Sequence, residues 1–524
     1  MTAPAPRAPA APAAPATSAD VVVIGAGTAG AVMASYAART GASVVLLEAG
    51  PDPGPWQPLA WPADLIDADR VATSHDWGYS GPAADGRVLP FPRARVMGGC
   101  SSHNGCTQSI GWRGDWDAWG TSSRDWSSAE LDRHRAHAIK RLRIQQPTVA
   151  DLQPFQRAFL DAAVAAGFPH RDDLLDPGGG QGVAISPVNA PGSVRWNSAF
   201  AYLDPVRDHP NLTVRANALA DRIELTSRPG RASRPNQAAA VIAVIDGRRT
   251  RIRAGQVILC AGVYGSAETL LRSGIGPAPD LRRLGIPVAA HLPGVGANLH
   301  DHPTAIRSFT AAPALARELD RLRRVPDEQV VAKLSTGQDP TGAPYDLHVF
   351  PWTERDPSVA GGWRVVVPVA LMCPASRGAL RLRSADPAVR SHADHAFLSD
   401  PTDTERLAAG LAGLDPILAG LPLGEELGEP PSRPAAAWLR RNHEHYWHPA
   451  GTCAMGDGPH GVVDETGTVH GLANVRIADA SVFPDVPRAT TAFPTVLVAE
   501  HMAGLAFGPA PAPPAPAAPQ PSTG

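Results

Sequence analysis

Apolar residues in this chain gather into short unbroken runs, and those runs set its layout. Val21-Val22-Val23-Ile24 has no polar break and is fully β-branched, the pattern of a strand buried on both faces of a parallel sheet. Ala31 to Arg39 is alanine-rich and favours helix. Ser43 to Leu47 reads as a second strand, Asn211 to Val214 as a third, and Val257 to Ala261 as a buried strand running into a glycine turn. Trp363 to Val369 and Ala379 to Arg383 read as strands of a second sheet. Near the end, Pro494 is placed to occupy the first turn of a helix reaching about Gly504. Strand, helix and strand in close succession predict an α/β protein.

The junction between the first strand and first helix reads Gly25-Ala26-Gly27-Thr28-Ala29-Gly30. Gly25 permits the tight turn, Gly27 lets the backbone approach a pyrophosphate, and Gly30 lets helix pack on strand. The helix start offers free N–H groups and the positive end of its dipole. Glu48 closes the second strand, at the spacing expected for an acid that holds an adenosine ribose hydroxyl. A glycine turn alone is weak evidence. Strand, three glycines, helix, strand and terminal acid together point to a dinucleotide, and the acid disfavours a 2′-phosphate.

Later motifs decide which dinucleotide. Pro92 to Gly105 reads Pro-Arg-Ala-Arg-Val-Met-Gly-Gly-Cys-Ser-Ser-His-Asn-Gly, and resembles the first signature of the glucose–methanol–choline (GMC) flavin oxidoreductases. Gly262 to Pro277 resembles their second signature, with Ala267 and Thr269 as departures. Leu292 to Pro303, Pro374 with Ser376-Arg377-Gly378, Ser384 to Pro387, His448 to Gly456 and Asp479 to Pro484 follow in the family's order. The resemblance covers residues 20 to 505. It implies an FAD-binding Rossmann-like domain of GMC type beside an α+β substrate domain on an antiparallel sheet. The expected partition is a Pro/Ala tail over 1–18, flavin segments over 19–305 and 441–508, a substrate domain over 306–440 and a second tail over 509–524. The region Leu315 to Thr341 lacks the long insertions of larger members, which implies an open or small pocket.

By the same resemblance, Arg95, Gly98, Gly99, Ser102, His103, Asn104, Asp479, Ala480 and Pro494 join Gly25, Gly27, Gly30 and Glu48 in holding FAD. Most members carry an aliphatic residue where His103 stands. Choline oxidase-like members share the run Cys-Ser-Ser-His-Asn, which implies a covalent bond from His103 to the flavin, with simple hydrogen bonding as the alternative. The dipole of the Pro494 helix is expected to stabilise the anionic reduced flavin.

Oxidising an alcohol removes a hydroxyl proton and a carbon-bound hydride, and histidine is the side chain best suited to the proton. His448 matches the family's catalytic histidine. The second active-site position falls on Thr490, where the family has histidine or asparagine, and Ala492 replaces a nearby asparagine. Thr490 keeps a hydroxyl but supplies neither a second base nor a cation. Arg488 reads as a surface residue or a nearby source of charge, and His443 and His445 as a solvated helix end. Trp447, His348 and Phe350 are candidates for lining the pocket.

Composition excludes several classes. A formal net charge of −3 with 19% charged residues gives no field for nucleic acid or an anionic membrane. No apolar run reaches the ~18 residues of a membrane span. Five scattered cysteines favour neither a disulfide framework nor a zinc site, so no metal is expected and the location reads as cytoplasmic. The expected partners are a small alcohol and O2 or another electron acceptor; the oligomeric state stays open, a homo-oligomer included. The leading reading is an FAD-dependent alcohol oxidase or dehydrogenase. A non-redox lyase on the same scaffold and a non-catalytic flavin protein are the alternatives.

Overall fold

The computed structural model describes residues 17–57, 59–119, 126–226, 236–322, 328–429 and 435–509. Apart from residues 17, 18 and 509, the two expected tails lie outside the described residues.

Two large sheets organise the chain. The first has seven strands, and its parallel centre is Leu212–Arg215, Val44–Leu47, Ser18–Ile24 and Arg248–Leu259 in spatial order. The long strand Arg248–Leu259 serves two neighbours. Its first half pairs antiparallel with Gln237–Ile245, and its last three residues pair parallel with Val475–Ile477. The C-terminal segment thereby returns to the N-terminal core. Val22, Val23, Val257 and Ile258 are fully buried, as an unbroken apolar run in a parallel sheet leads one to expect. Helices Thr28–Ala37 and Ala492–Phe507 pack on this sheet and on each other.

The second sheet has nine strands and is antiparallel except for the pair His170–Arg171 and Gly182–Ile185. Its centre is Pro303–Ala311, Trp363–Leu371, Leu347–Val349 and Val330–Leu334. One face carries Val330, Ala332, Leu334, Leu347 and Val349, which pack with Phe155, Phe159, Leu407 and Leu411 of two helices. The other face carries Val331, Phe350 and Ala370, packed with Leu174, Met372 and Tyr446.

Several elements sit elsewhere than the sequence suggested. Ala379–Arg381 pairs with His392–Asp394 in its own two-stranded sheet, and Leu380 joins the first core rather than the second. Residues 170–185 belong to the second sheet although they lie within 19–305 in sequence. His443–His445 is not a solvated helix end but a strand on Pro303–Ala305, with His443 and His445 both buried. The final helix starts at Ala492, two residues before Pro494.

Candidate active site

Two glycine loops build the cofactor end. Gly25 has φ +93°, and a Cβ there would stand 2.5 Å from the Cys260 carbonyl oxygen. Gly99, at φ +52°, lies so close to the first loop that its Cβ would sit 2.7 Å from the Gly27 Cα. Gly98 N–H donates to Ala26 O at 2.9 Å. The loops therefore meet backbone to backbone. Gly27 caps the first helix with no side-chain hydrogen bond, so the helix N–H groups stay open to an anion. A bare backbone cradle at a helix start is what a pyrophosphate needs, and FAD fits it.

Other expected contacts are tied into the same scaffold. The Glu48 carboxylate accepts from Ala26 N–H at 3.0 Å and Gly50 N–H at 2.8 Å, and burial pushes its pKa up to about 7. Arg95 donates to Ala49 O at 3.1 Å, beside Glu48, with its guanidinium over the Trp77 ring. Ser102 donates to Met97 O at 3.0 Å, and Asn104 O accepts from Arg195. Asp479 accepts from Gly262 N–H at 2.8 Å and Ser266 hydroxyl at 2.6 Å, which locks the turn containing Ala480 onto the start of helix Gly262–Arg272. Pro494 is buried in the first turn of the last helix.

His103 lies 2.7 Å from Ser74 O through Nε2. A carbonyl only accepts, so Nε2 carries the proton and Nδ1 keeps the lone pair. Burial holds the ring's pKa below the ordinary histidine value, so it is neutral and nucleophilic at neutral pH.

Two distant chain segments meet at the expected catalytic histidine. His448 sits with its Nδ1 3.1 Å from Nδ1 of His302. One oxygen of Asp301 accepts the backbone N–H groups of His302 at 2.7 Å and His448 at 3.0 Å, so a single carboxylate fixes both residues. Two facing Nδ1 atoms share one proton, so one ring donates and the other accepts. With His448 Nδ1–H as the donor, His302 Nδ1 accepts and His448 Nε2 keeps the basic lone pair. Burial holds His302 down to about 3 and His448 well below the ordinary value, while burial raises Asp301 to about 7.

A small cavity is lined by Thr107, Gln108, Ser109, Val331, His348 and Thr490, among others, and its His348 lies within electrostatic reach of His302 and His448. Thr490 N–H donates to Ser109 Oγ at 2.8 Å, and its own hydroxyl lies 3.3 Å from Thr107 O. Among the described residues, both ring nitrogens of buried His348 and the Gln108 amide oxygen lack hydrogen-bond partners. Buried polar atoms left open around a cavity mark a place for a polar ligand. Arg488 is no surface cation. It is buried, ion-paired to Asp115 and, at 2.7 Å, to Asp339, which also takes Arg406 at 3.1 Å. Sequence reasoning missed the roles of His302 and Asp301, although both stand in the quoted Leu292–Pro303 turn; two histidines flanking an aspartate were the available signal.

Residues 19–304 and 374–499 match the two models described as GMC oxidoreductase. The chain belongs to the GMC oxidoreductase family. It is 31% identical to mitochondrial choline dehydrogenase of Mus musculus, over 93% of this chain and 89% of that protein. It is likewise 31% identical to 5-(hydroxymethyl)furfural oxidase of Methylovorus sp. (strain MP688), over 92% and 98%. Among solved structures, pyridoxine 4-oxidase from Mesorbium loti superposes with a TM-score of 0.79 at 25% identity, covering 93% of this chain and 98% of that one. As a GMC oxidoreductase the protein takes FAD, and the lyase alternative gains nothing from these relatives. No helix among the described residues is long and apolar enough to cross a membrane.

Proposed function

We propose that this FAD-dependent oxidoreductase oxidises the CH–OH group of a small alcohol or aldehyde hydrate, with His448 as the base. The observation that carries the reading is the His302–His448 contact at 3.1 Å; with His448 as its donor, His448 Nε2 is the neutral, proton-accepting nitrogen. Thr490, Gln108 and His348 line the adjoining cavity and would orient the hydroxyl by hydrogen bonds. FAD, when bound, supplies the hydride acceptor.

The chain's own residues do the rest. His448 Nε2 takes the hydroxyl proton, and the resulting positive charge is held on a ring whose Nδ1–H remains bonded to His302. Asp301, whose carboxylate faces both backbone N–H groups, keeps the two rings in register. The cradle formed by Gly25, Gly27, Gly30, Gly98 and Gly99 would receive the pyrophosphate, with Glu48 and Arg95 toward the ribose end. Ser102, Asn104, Asp479, Ala480 and Pro494 shape the turns around it.

His103 belongs to the same proposal as the residue covalently linked to the flavin, through Nδ1, because Nε2 is committed to Ser74. A cytoplasmic location is supported by five free cysteines in a chain of this length. Anaerobic addition of small alcohols should bleach the flavin absorbance, and turnover without bleaching would exclude the redox reading. Peroxide release on admitting air would select O2 as the acceptor.

A further inference from the structure

The sheet face that borders the cavity carries one residue the chemistry above does not use. Lys333 stands directly opposite His348 across the Val330–Leu334 and Leu347–Val349 pair, so their side chains share a face. Val331, two residues earlier on that strand, lines the cavity together with His348. Lys333 is only 3% exposed. Its ammonium lies 4.7 Å from the centre of the Tyr345 ring, and Tyr345 in turn stacks on His348 with ring centres 5.8 Å apart.

Buried ammonium groups are normally paired, because a lone charge in a low-dielectric interior is costly. Here Asp176 and Asp173 attract it only at longer range, with no hydrogen bond or ion pair to it among the described residues. Burial lowers its pKa to about 8, which still leaves it mostly charged at neutral pH. His348 lines the cavity, His302 and His448 lie within its electrostatic reach, and Lys333 is the cation beside it on the same sheet face. Glu328 is the acid on the cavity wall.

We propose that Lys333 recognises substrate, and that the preferred alcohol carries a carboxylate at the end remote from its hydroxyl. The proposal rests on the alcohol-oxidation reading for the position of the hydroxyl, but the ammonium site itself does not. A carboxylate meeting Lys333 would gain a charge-assisted hydrogen bond in a dry setting and relieve the unpaired charge. The neutral stretch between them would lie over Tyr345 and His348.

The test uses the FAD-loaded protein with 4-(hydroxymethyl)benzoate, 4-(hydroxymethyl)benzamide and 4-(aminomethyl)benzyl alcohol. The acid should exceed the amide in kcat/KM by about ten-fold or more. Lys333→Met should erase that preference while leaving the amide, the flavin content and the melting temperature unchanged, and Lys333→Arg should keep part of it. Calorimetric binding of benzoate against benzamide should show the same preference and the same loss. Equal binding of the two by the unaltered protein would overturn the proposal. So would a preference for the amine, which would assign recognition to Glu328, or a Lys333→Met variant that weakens acid and amide alike. If benzoate is preferred yet no alcohol turns over, the alcohol reading fails and the carboxylate site stands.

Discussion

Nδ1 of His302 and Nδ1 of His448 face each other at 3.1 Å, and one Asp301 oxygen holds the backbone N–H of both residues. A histidine oriented by a neutral histidine differs from one oriented by a carboxylate. The partner fixes the tautomer but adds no negative charge to stabilise the imidazolium. His302→Phe should therefore lower kcat by about 10–100-fold, below the loss expected for the base itself. It should also move the acid limb of the kcat/KM profile. His302→Asn, whose amide oxygen can still accept from His448 Nδ1–H, should restore part of the rate. A profile and rate unchanged in His302→Phe would remove it from the mechanism.

The His103–Ser74 contact gives a second expectation. Protein precipitated in acid should carry the yellow colour in the pellet, and His103→Asn should release it to the supernatant. Flavin that leaves the unaltered protein on acid treatment would show that His103 only hydrogen-bonds.

The glycine cradle can be tested without any substrate. Gly99→Ala places a methyl group 2.7 Å from the Gly27 Cα, at a φ of +52° that side chains rarely adopt. Neither backbone can retreat, since Gly98 N–H is bonded to Ala26 O. The ratio of flavin to protein absorbance should fall several-fold. Gly413→Ala, where an added methyl meets nothing, is the control and should keep full flavin.

Stability should depend on pH through the buried histidines. His300, His302 and His445 are held down to about 3 and His443 to about 4, with His348 and His395 also lowered, all by burial. Between about pH 6.5 and 3 the unfolded chain binds protons that the folded one refuses, so stability falls with pH across that window. Asp301 and Glu48, both raised to about 7, act in the opposite sense between about pH 4 and 7. Six histidines outweigh two acids. The melting temperature should drop progressively below about pH 6.5, and a flat curve from pH 7.5 to 5 would contradict the burial of these rings.

How much of this was legible in the sequence depended on range. The strand at Val21–Ile24, the glycine turn after it and the acid at Glu48 are local patterns with a known physical cause, and each formed as expected. His448 was visible through its motif. The pairing of His448 with His302, and the open ring of His348 beside Thr490, required four segments far apart in the chain to meet. No periodicity encodes that. The same holds for Arg488, whose charge looked available until Asp115 and Asp339 enclosed it. Ala379–Arg381 has strand composition, but composition does not say which sheet receives it.

In the proposed reaction His448 Nε2 takes the hydroxyl proton. Anaerobic stopped-flow mixing of an alcohol substrate with FAD-loaded His448→Asn isolates that step. The variant should stay yellow and folded while its rate of flavin bleaching falls by about 10²–10⁴, with the acid limb of the wild-type pH profile gone. Bleaching at the unaltered rate in a variant that still holds its flavin would contradict the account.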